Sequence, residues 1–150
     1  MRNKRILFVC TGNTCRSPMA EVVLKRKFKA AGIKGITVSS AGLAANDGEP
    51  MSENSRSALK KAGYRPNVNF KAKSVTKEML KKTEMVLCMT KRHKDYLSTF
   101  SNVYTLAEAT NTADIIDPYG HGLDVYMQTL LMIEKACDII VEEIFKVKGE

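Results

Sequence analysis

A cysteine and an arginine bracket the short segment Cys10-Thr11-Gly12-Asn13-Thr14-Cys15-Arg16. A cysteine thiolate is a strong nucleophile, and an arginine guanidinium is a planar fork that matches two oxygens of a tetrahedral dianion. Gly12 and Asn13 tolerate the positive φ angles that a tight loop requires. These residue types at this spacing predict phosphate-ester chemistry at Cys10; a structural turn between a strand and a helix is the alternative.

The residues on either side of this loop predict the elements that position it. The apolar run Ile6-Leu7-Phe8-Val9 is typical of a buried strand, and Pro18 favours the start of a helix. A loop between such elements directs backbone N–H groups and the positive end of the helix toward one point. The sequence therefore predicts an anion cradle with Cys10 at its entrance and Arg16 at its exit, where the pKa of the thiol is lowered.

Strand and helix patterns alternate along the 150 residues. Strands are predicted over 6–9, 36–40, 84–89 and 103–106, and helices over about 17–31, 53–62 and 90–100, with a short helix after Thr76. The last helix carries a continuous apolar stripe, made of Tyr126, Leu130, Ile133, Cys137, Ile140, Ile144 and Val147. The alternation predicts one α/β domain over residues 1–150. Its three layers are a four-stranded parallel sheet with helices on both faces, and the phosphate-binding loop follows strand 1.

Composition excludes several classes of protein. No apolar run approaches the length of a membrane span, and the first apolar run breaks too early for a secretory signal, so we expect a cytoplasmic protein. The four cysteines form no Cys-x-x-Cys pair, which supports neither a zinc site nor a disulfide framework, and Cys88 and Cys137 are expected in the core. The net charge of +8 points to anionic partners, but the basic residues are mixed with acids on predicted helices, which favours solvated faces.

The segment from Cys10 to Pro18 resembles the active-site signature of the low-molecular-weight protein tyrosine phosphatases. The resemblance spans nearly the whole chain. Ser39-Ser40-Ala41-Gly42 resembles the segment that ends the family's second strand, Val86-Leu87-Cys88-Met89-Thr90 its third strand, and Asp117-Pro118-Tyr119 its late Asp-Pro loop. In some members a histidine that braces the loop stands where Phe70 aligns, and Phe70 cannot form that hydrogen bond.

The resemblance implies a mechanism that requires neither metal nor cofactor. Cys10 is the implied nucleophile and forms a phosphocysteine intermediate, Arg16 binds the phosphoryl group, and Asp117 is the general acid and then the base for water. The resemblance also implies a set of phosphate-loop and substrate-binding residues: Thr11, Gly12, Asn13, Thr14, Cys15, Ser17 and Tyr119. Among them, Ser17 supports the thiolate.

Two positions bear on which phosphorylated residue is the substrate. Tyrosine-specific members tend to carry a bulky aliphatic residue where this chain has Thr14, whereas members resembling bacterial protein arginine phosphatases carry threonine. Tyr119 is followed by Gly120 and not by a second aromatic residue, so the aromatic wall around a phenyl ring is thinner. Both features favour protein phosphoarginine, with protein phosphotyrosine as the alternative.

Other possibilities stay open. Thioredoxin-coupled arsenate reductases look similar around the first cysteine, but they need two further cysteines after the third strand, and the run from Cys88 to Leu97 has no second one. A non-catalytic anion- or nucleic-acid-binding module is favoured only by the net charge. Cys15 could trap an oxidised Cys10 as a disulfide, or could simply pack in the loop. We expect a monomer that acts on a phosphorylated protein and binds neither nucleic acid nor membrane.

Overall fold

The computed structural model describes residues 4–148 of the chain, except the side chains of residues 145, 147 and 148. Four strands form the sheet: β1 (Lys4–Cys10), β2 (Ile36–Gly42), β3 (Met85–Cys88) and β4 (Val103–Thr105). Within residues 4–148, six helices surround it: α1 (Arg16–Ala30), α2 (Glu53–Lys61), α3 (Lys77–Lys81), α4 (Lys91–Tyr96), α5 (Leu106–Thr110) and α6 (Leu123–Lys148). Within residues 4–148, no helix is both long and apolar enough to cross a membrane.

All strand pairs are parallel, and the order across the sheet is β2-β1-β3-β4. The central strand β1 has side chains alternately on the two faces, because the side-chain repeat of a strand is two residues. Phe8 joins a core with α1, α2 and α6, whereas Leu7 and Val9 join a second core that includes Leu80 and Leu97. Both faces are therefore covered by helices, which confirms the predicted fold class.

The helix starts follow from side-chain caps in the sequence. Ser52 accepts the Ser55 N–H at the start of α2, and Thr76 accepts the Met79 N–H at the start of α3. Each cap satisfies a backbone donor that the first turn of a helix leaves free. The predicted starts of these two helices are confirmed.

Two features of the segment around β4 differ from what the sequence predicted. Helix α4 ends at Tyr96 and not near Phe100. The side chain of Leu97 is buried in the second core, and the chain then leads to β4. Helix α5 was not predicted, although Thr105 and Glu108 cap each other's backbone N–H groups at its start. The spacing of that threonine and glutamate is a helix-start signal that the sequence does carry.

The apolar stripe predicted for the last helix packs α6 against the core that contains Phe8. Its first five members are buried, and Ile144 is half-buried against the same core. The side chain of Val147 lies outside what the structure describes. The predicted core positions Cys88 and Cys137 are also buried.

Candidate active site

The loop between β1 and α1 lies at the carboxyl end of the central strand, where parallel sheets bind ligands. Asn13 has a φ of 56°, the left-handed conformation that asparagine tolerates well. Helix α1 starts at Arg16, two residues before Pro18, so the proline lies in the first turn, where it removes no helical hydrogen bond. The turn thus places backbone N–H groups around Cys10.

The neighbouring strand limits the shape of this loop. A Cβ atom on Gly42, the last residue of β2, would lie 2.6 Å from the carbonyl oxygen of Thr11 and 3.0 Å from the N atom of Asn13. Only glycine leaves room for the loop to pass this closely. Gly42 is a site residue whose role sequence reasoning missed, and the signal was the Ala-Gly pair that ends the strand.

Asn13 is the internal brace of the loop. Its buried side-chain amide donates to the hydroxyl oxygens of Ser17 (2.9 Å) and Ser40 (3.0 Å), and its carbonyl oxygen accepts the backbone N–H of Lys73 (3.0 Å). Phe70 is half-buried against the core that contains Phe8 and makes no hydrogen bond to the loop with its side chain. In this chain the backbone N–H of Lys73 braces the loop instead. Burial of the satisfied amide stabilises a single loop conformation.

The thiol of Cys10 is buried beside Ser17, with 2.8 Å between Sγ and Oγ. Burial raises the pKa of Cys10 above its ordinary value, because it disfavours the charged form. The Ser17 hydroxyl, the backbone N–H groups of Ser17 and Asn13, and the Arg16 charge all lower this pKa. The sequence predicted convergent N–H groups and a guanidinium near the thiol, and the resemblance implied Ser17, but the predicted net lowering of the pKa was wrong because burial outweighs these groups.

Arg16 is held from the side of the late Asp-Pro loop. Its guanidinium donates to the carbonyl oxygen of Ile115 (3.1 Å) and lies 3.6 Å from the carboxylate of Asp117. Arg16 is 5% exposed, whereas the Asp117 side chain is 58% exposed. The structure thus brings a carboxyl group distant in sequence to the mouth of the loop, beside the group predicted to bind phosphate.

The Asp-Pro loop presents an aromatic side chain next to this carboxylate. The backbone N–H of Tyr119 donates to Asp117 Oδ1 (3.1 Å), and the tyrosine is 77% exposed. Gly120 follows with a φ of 81° and turns the chain away. One exposed aromatic ring therefore borders the entrance at this loop.

Thr14 and Cys15 lie on the opposite side of the loop. The backbone carbonyl of Thr14 accepts the Ser52 N–H (3.0 Å), and the Cys15 thiol contacts the hydroxyls of Ser52 (3.5 Å) and Tyr126 (3.4 Å). Burial raises the pKa of Tyr126 to about 12, so its hydroxyl remains protonated near neutral pH. These contacts tie the loop to α2 and α6; the redox role of Cys15 stays a prediction.

Sequence reasoning also missed His93, a buried residue in the first turn of α4. Its ring bridges the side chains of Thr11 (2.9 Å) and Thr90 (3.0 Å). The sequence does show a histidine three positions after the threonine that caps α4. It does not show that this histidine lies next to the loop.

Residues 5–149 match the family described as low molecular weight phosphotyrosine protein phosphatase. The chain is 32% identical over 148 residues to the protein-arginine-phosphatase of Bacillus subtilis (strain 168), which covers 94% of this chain and 97% of that protein. It is 35% identical over 133 residues to the low molecular weight protein-tyrosine-phosphatase PtpB of Staphylococcus haemolyticus (strain JCSC1435), covering 83% and 88% of the two chains.

A solved structure with a similar fold comes from the arginine phosphatase YwlE, in a cysteine-to-serine mutant whose active-site serine is phosphorylated. The TM-score is 0.87 at 30% identity, and the match covers 95% of this chain and 96% of that one. In that protein the phosphate is carried by the serine that replaces a cysteine.

Proposed function

This chain belongs to the low molecular weight phosphotyrosine protein phosphatase family, and on that basis we propose that it hydrolyses phosphoarginine in proteins. The arrangement that supports phosphatase chemistry is the buried Cys10 thiol, with Ser17 at 2.8 Å, and Arg16 at the exit of the same loop. The thiolate form of Cys10, which Ser17, the loop N–H groups and Arg16 favour against the cost of burial, attacks phosphorus in line, while the N–H groups and the guanidinium stabilise charge on the equatorial oxygens.

Asp117 supplies the proton for the leaving group. Its carboxyl group is exposed at the mouth and lies 3.6 Å from Arg16, so it is on the side from which a substrate enters. Protonated, it donates to the leaving nitrogen or oxygen, and the carboxylate then accepts a proton from the water that attacks the phosphocysteine.

The choice of phosphoarginine rests on Thr14. Its half-buried hydroxyl belongs to the loop itself, 3.7 Å from Cys15 Sγ and 3.8 Å from where a Cβ on Gly12 would be. A hydroxyl can accept from a guanidinium N–H, and an aliphatic side chain cannot. The relatives include both a protein-arginine-phosphatase and a protein-tyrosine-phosphatase, so phosphotyrosine remains the second candidate.

The experiment compares kcat/KM on matched phosphoarginine and phosphotyrosine peptides for the wild type, Thr14→Val and Thr14→Ser. We expect the wild type to prefer phosphoarginine and Thr14→Val to lose about tenfold of that preference, the cost of one hydrogen bond of about 1.4 kcal/mol. Thr14→Ser keeps the hydroxyl and is the matched control. A wild-type preference for phosphotyrosine would refute the substrate assignment, and activity that survives Cys10→Ser would refute the mechanism.

We place the enzyme in the cytoplasm as a monomer that acts on phosphorylated proteins. The mouth of the site is open to a side chain of a phosphorylated protein, since Asp117 and Tyr119 are both exposed there. Light scattering of the purified protein measures its mass directly.

A further inference from the structure

His93 is a buried titratable residue beside the catalytic loop that the proposed mechanism does not use. It is 5% exposed, and the structure places Nε2 2.9 Å from Thr11 Oγ1 and Nδ1 3.0 Å from Thr90 Oγ1. The imidazole therefore links the residue after the nucleophile to the first turn of α4.

The hydrogen positions in this bridge follow from counting donors and acceptors. Thr90 Oγ1 accepts the backbone N–H of His93 (3.4 Å) as the cap of α4, and its own hydrogen has Nδ1 as its acceptor among the contacts within residues 4–148. A neutral imidazole has one donor and one acceptor nitrogen. Two arrangements satisfy both nitrogens, and we adopt the one in which Nδ1 accepts from the half-buried Thr90 and Nε2–H donates to the exposed Thr11, because the hydroxyl hydrogen left over then lies on the exposed side.

This donation determines what the hydroxyl of Thr11 can do. Its oxygen accepts from His93, and among the contacts within residues 4–148 the hydrogen of the Thr11 hydroxyl has no other acceptor. Thr11 is exposed next to Cys10, and its backbone carbonyl accepts the Ala44 N–H (2.9 Å), which holds the residue in place. The side chain therefore has a fixed oxygen and a free donor at the mouth of the loop.

We propose that His93 is a positioning residue: it holds the Thr11 hydroxyl as a hydrogen-bond donor toward the phosphorylated side chain bound at Cys10. This role rests on the proposed phosphatase function. With the other tautomer, Nε2 accepts the hydrogen of the Thr11 hydroxyl, and that hydroxyl then has no hydrogen to donate to a substrate.

The surroundings keep this imidazole neutral near pH 7. Burial lowers the pKa of His93 to about 4, and the nearby positive charges of Arg16 and Arg92 act in the same direction. The carboxylates of Asp117 and Asp114 raise this pKa but do not overcome the other effects. The imidazole of His93 is therefore neutral near pH 7, as the proposed pair of hydrogen bonds requires.

The tautomer can be observed without any enzyme assay. Long-range ¹H–¹⁵N NMR correlations of the ¹⁵N-histidine protein distinguish imidazoles protonated at Nε2 from those protonated at Nδ1. The chain has two histidines, and a His121→Asn variant assigns the signals. We expect His93 to be neutral and protonated at Nε2 at pH 7. A neutral ring protonated at Nδ1 would overturn the proposal.

A double-mutant cycle tests the role through Thr11. His93→Gln keeps an N–H near the position of Nε2, whereas His93→Asn reaches only the position of Nδ1. We expect His93→Asn to lower kcat/KM about tenfold, in line with one lost hydrogen bond, and His93→Gln to restore most of it. In a Thr11→Val background, which lacks the hydroxyl, His93→Asn should cost less than about twofold.

The outcomes separate the two proposals. If His93→Asn costs as much in the Thr11→Val background as in the otherwise wild-type protein, the role of the histidine is merely structural and the inference is refuted. A wild-type protein that hydrolyses neither p-nitrophenyl phosphate nor a phosphoarginine peptide would refute the proposed function itself. The NMR result is obtained in either case.

Discussion

The neutral, buried state of His93 makes the stability of this protein depend on pH. The folded protein holds the imidazole at a pKa of about 4, whereas an unfolded chain has its ordinary value of 6.5. Between these two values the unfolded chain binds a proton that the folded protein does not bind. The free energy of unfolding therefore falls as the pH decreases from about 6.5 toward about 4, and is unaffected by this group above that range.

The size of the effect follows from the two pKa values. At pH 5 the unfolded imidazole is almost fully protonated and the folded one is mostly neutral, so the linkage costs about 2 kcal/mol relative to pH 7.5. Below pH 4 the loss levels off at about 3 kcal/mol. Such a loss is a large fraction of the stability of an ordinary domain, about 5–15 kcal/mol.

The assay is urea unfolding of the wild type and His93→Gln at pH 7.5, 6.5 and 5.0. Glutamine does not titrate, so the variant should lose about 2 kcal/mol less than the wild type between pH 7.5 and 5.0. Lysines lower the pKa values of carboxylates such as Glu78 and Glu108, so protonation of these groups also reduces stability at low pH. This loss is the same in both proteins. Equal pH dependence in the two proteins would refute the placement of His93 as a buried neutral group.

Three further changes test the site. Ser17→Ala should raise the pKa of Cys10 because it removes the side-chain hydrogen bond to the sulfur; the pH dependence of iodoacetamide alkylation measures it, and an unchanged pKa would contradict the contact. Gly42→Ala should lower kcat/KM at least tenfold because its Cβ would meet the Thr11 carbonyl at 2.6 Å, and wild-type activity would contradict the close packing of β2 against the loop. Asp117→Asn should lower kcat/KM, which reports phosphoryl transfer to Cys10, about 10²–10⁴-fold for a peptide substrate and much less for p-nitrophenyl phosphate, whose leaving group needs little protonation; equal losses of kcat/KM would exclude Asp117 as the acid.

The sequence by itself determined the elements and the chemistry of the loop. Apolar runs such as Ile6–Val9 specify buried strands through local hydrophobicity, and caps such as Ser52 and Thr76 specify helix starts within four residues. Residue types at fixed spacing also identified Cys10 and Arg16 as a thiol and a guanidinium at one strand–helix junction. All these signals are local, which is why they can be read without the fold.

Tertiary structure decided what lies around that junction. Burial raises the pKa of Cys10, although the sequence shows only the contacts that lower it. The position of His93 beside Thr11 joins residues 82 positions apart, and the limit imposed by Gly42 depends on the pairing of β2 with β1. Desolvation and contacts between distant segments depend on how the whole chain packs, and no local pattern records them.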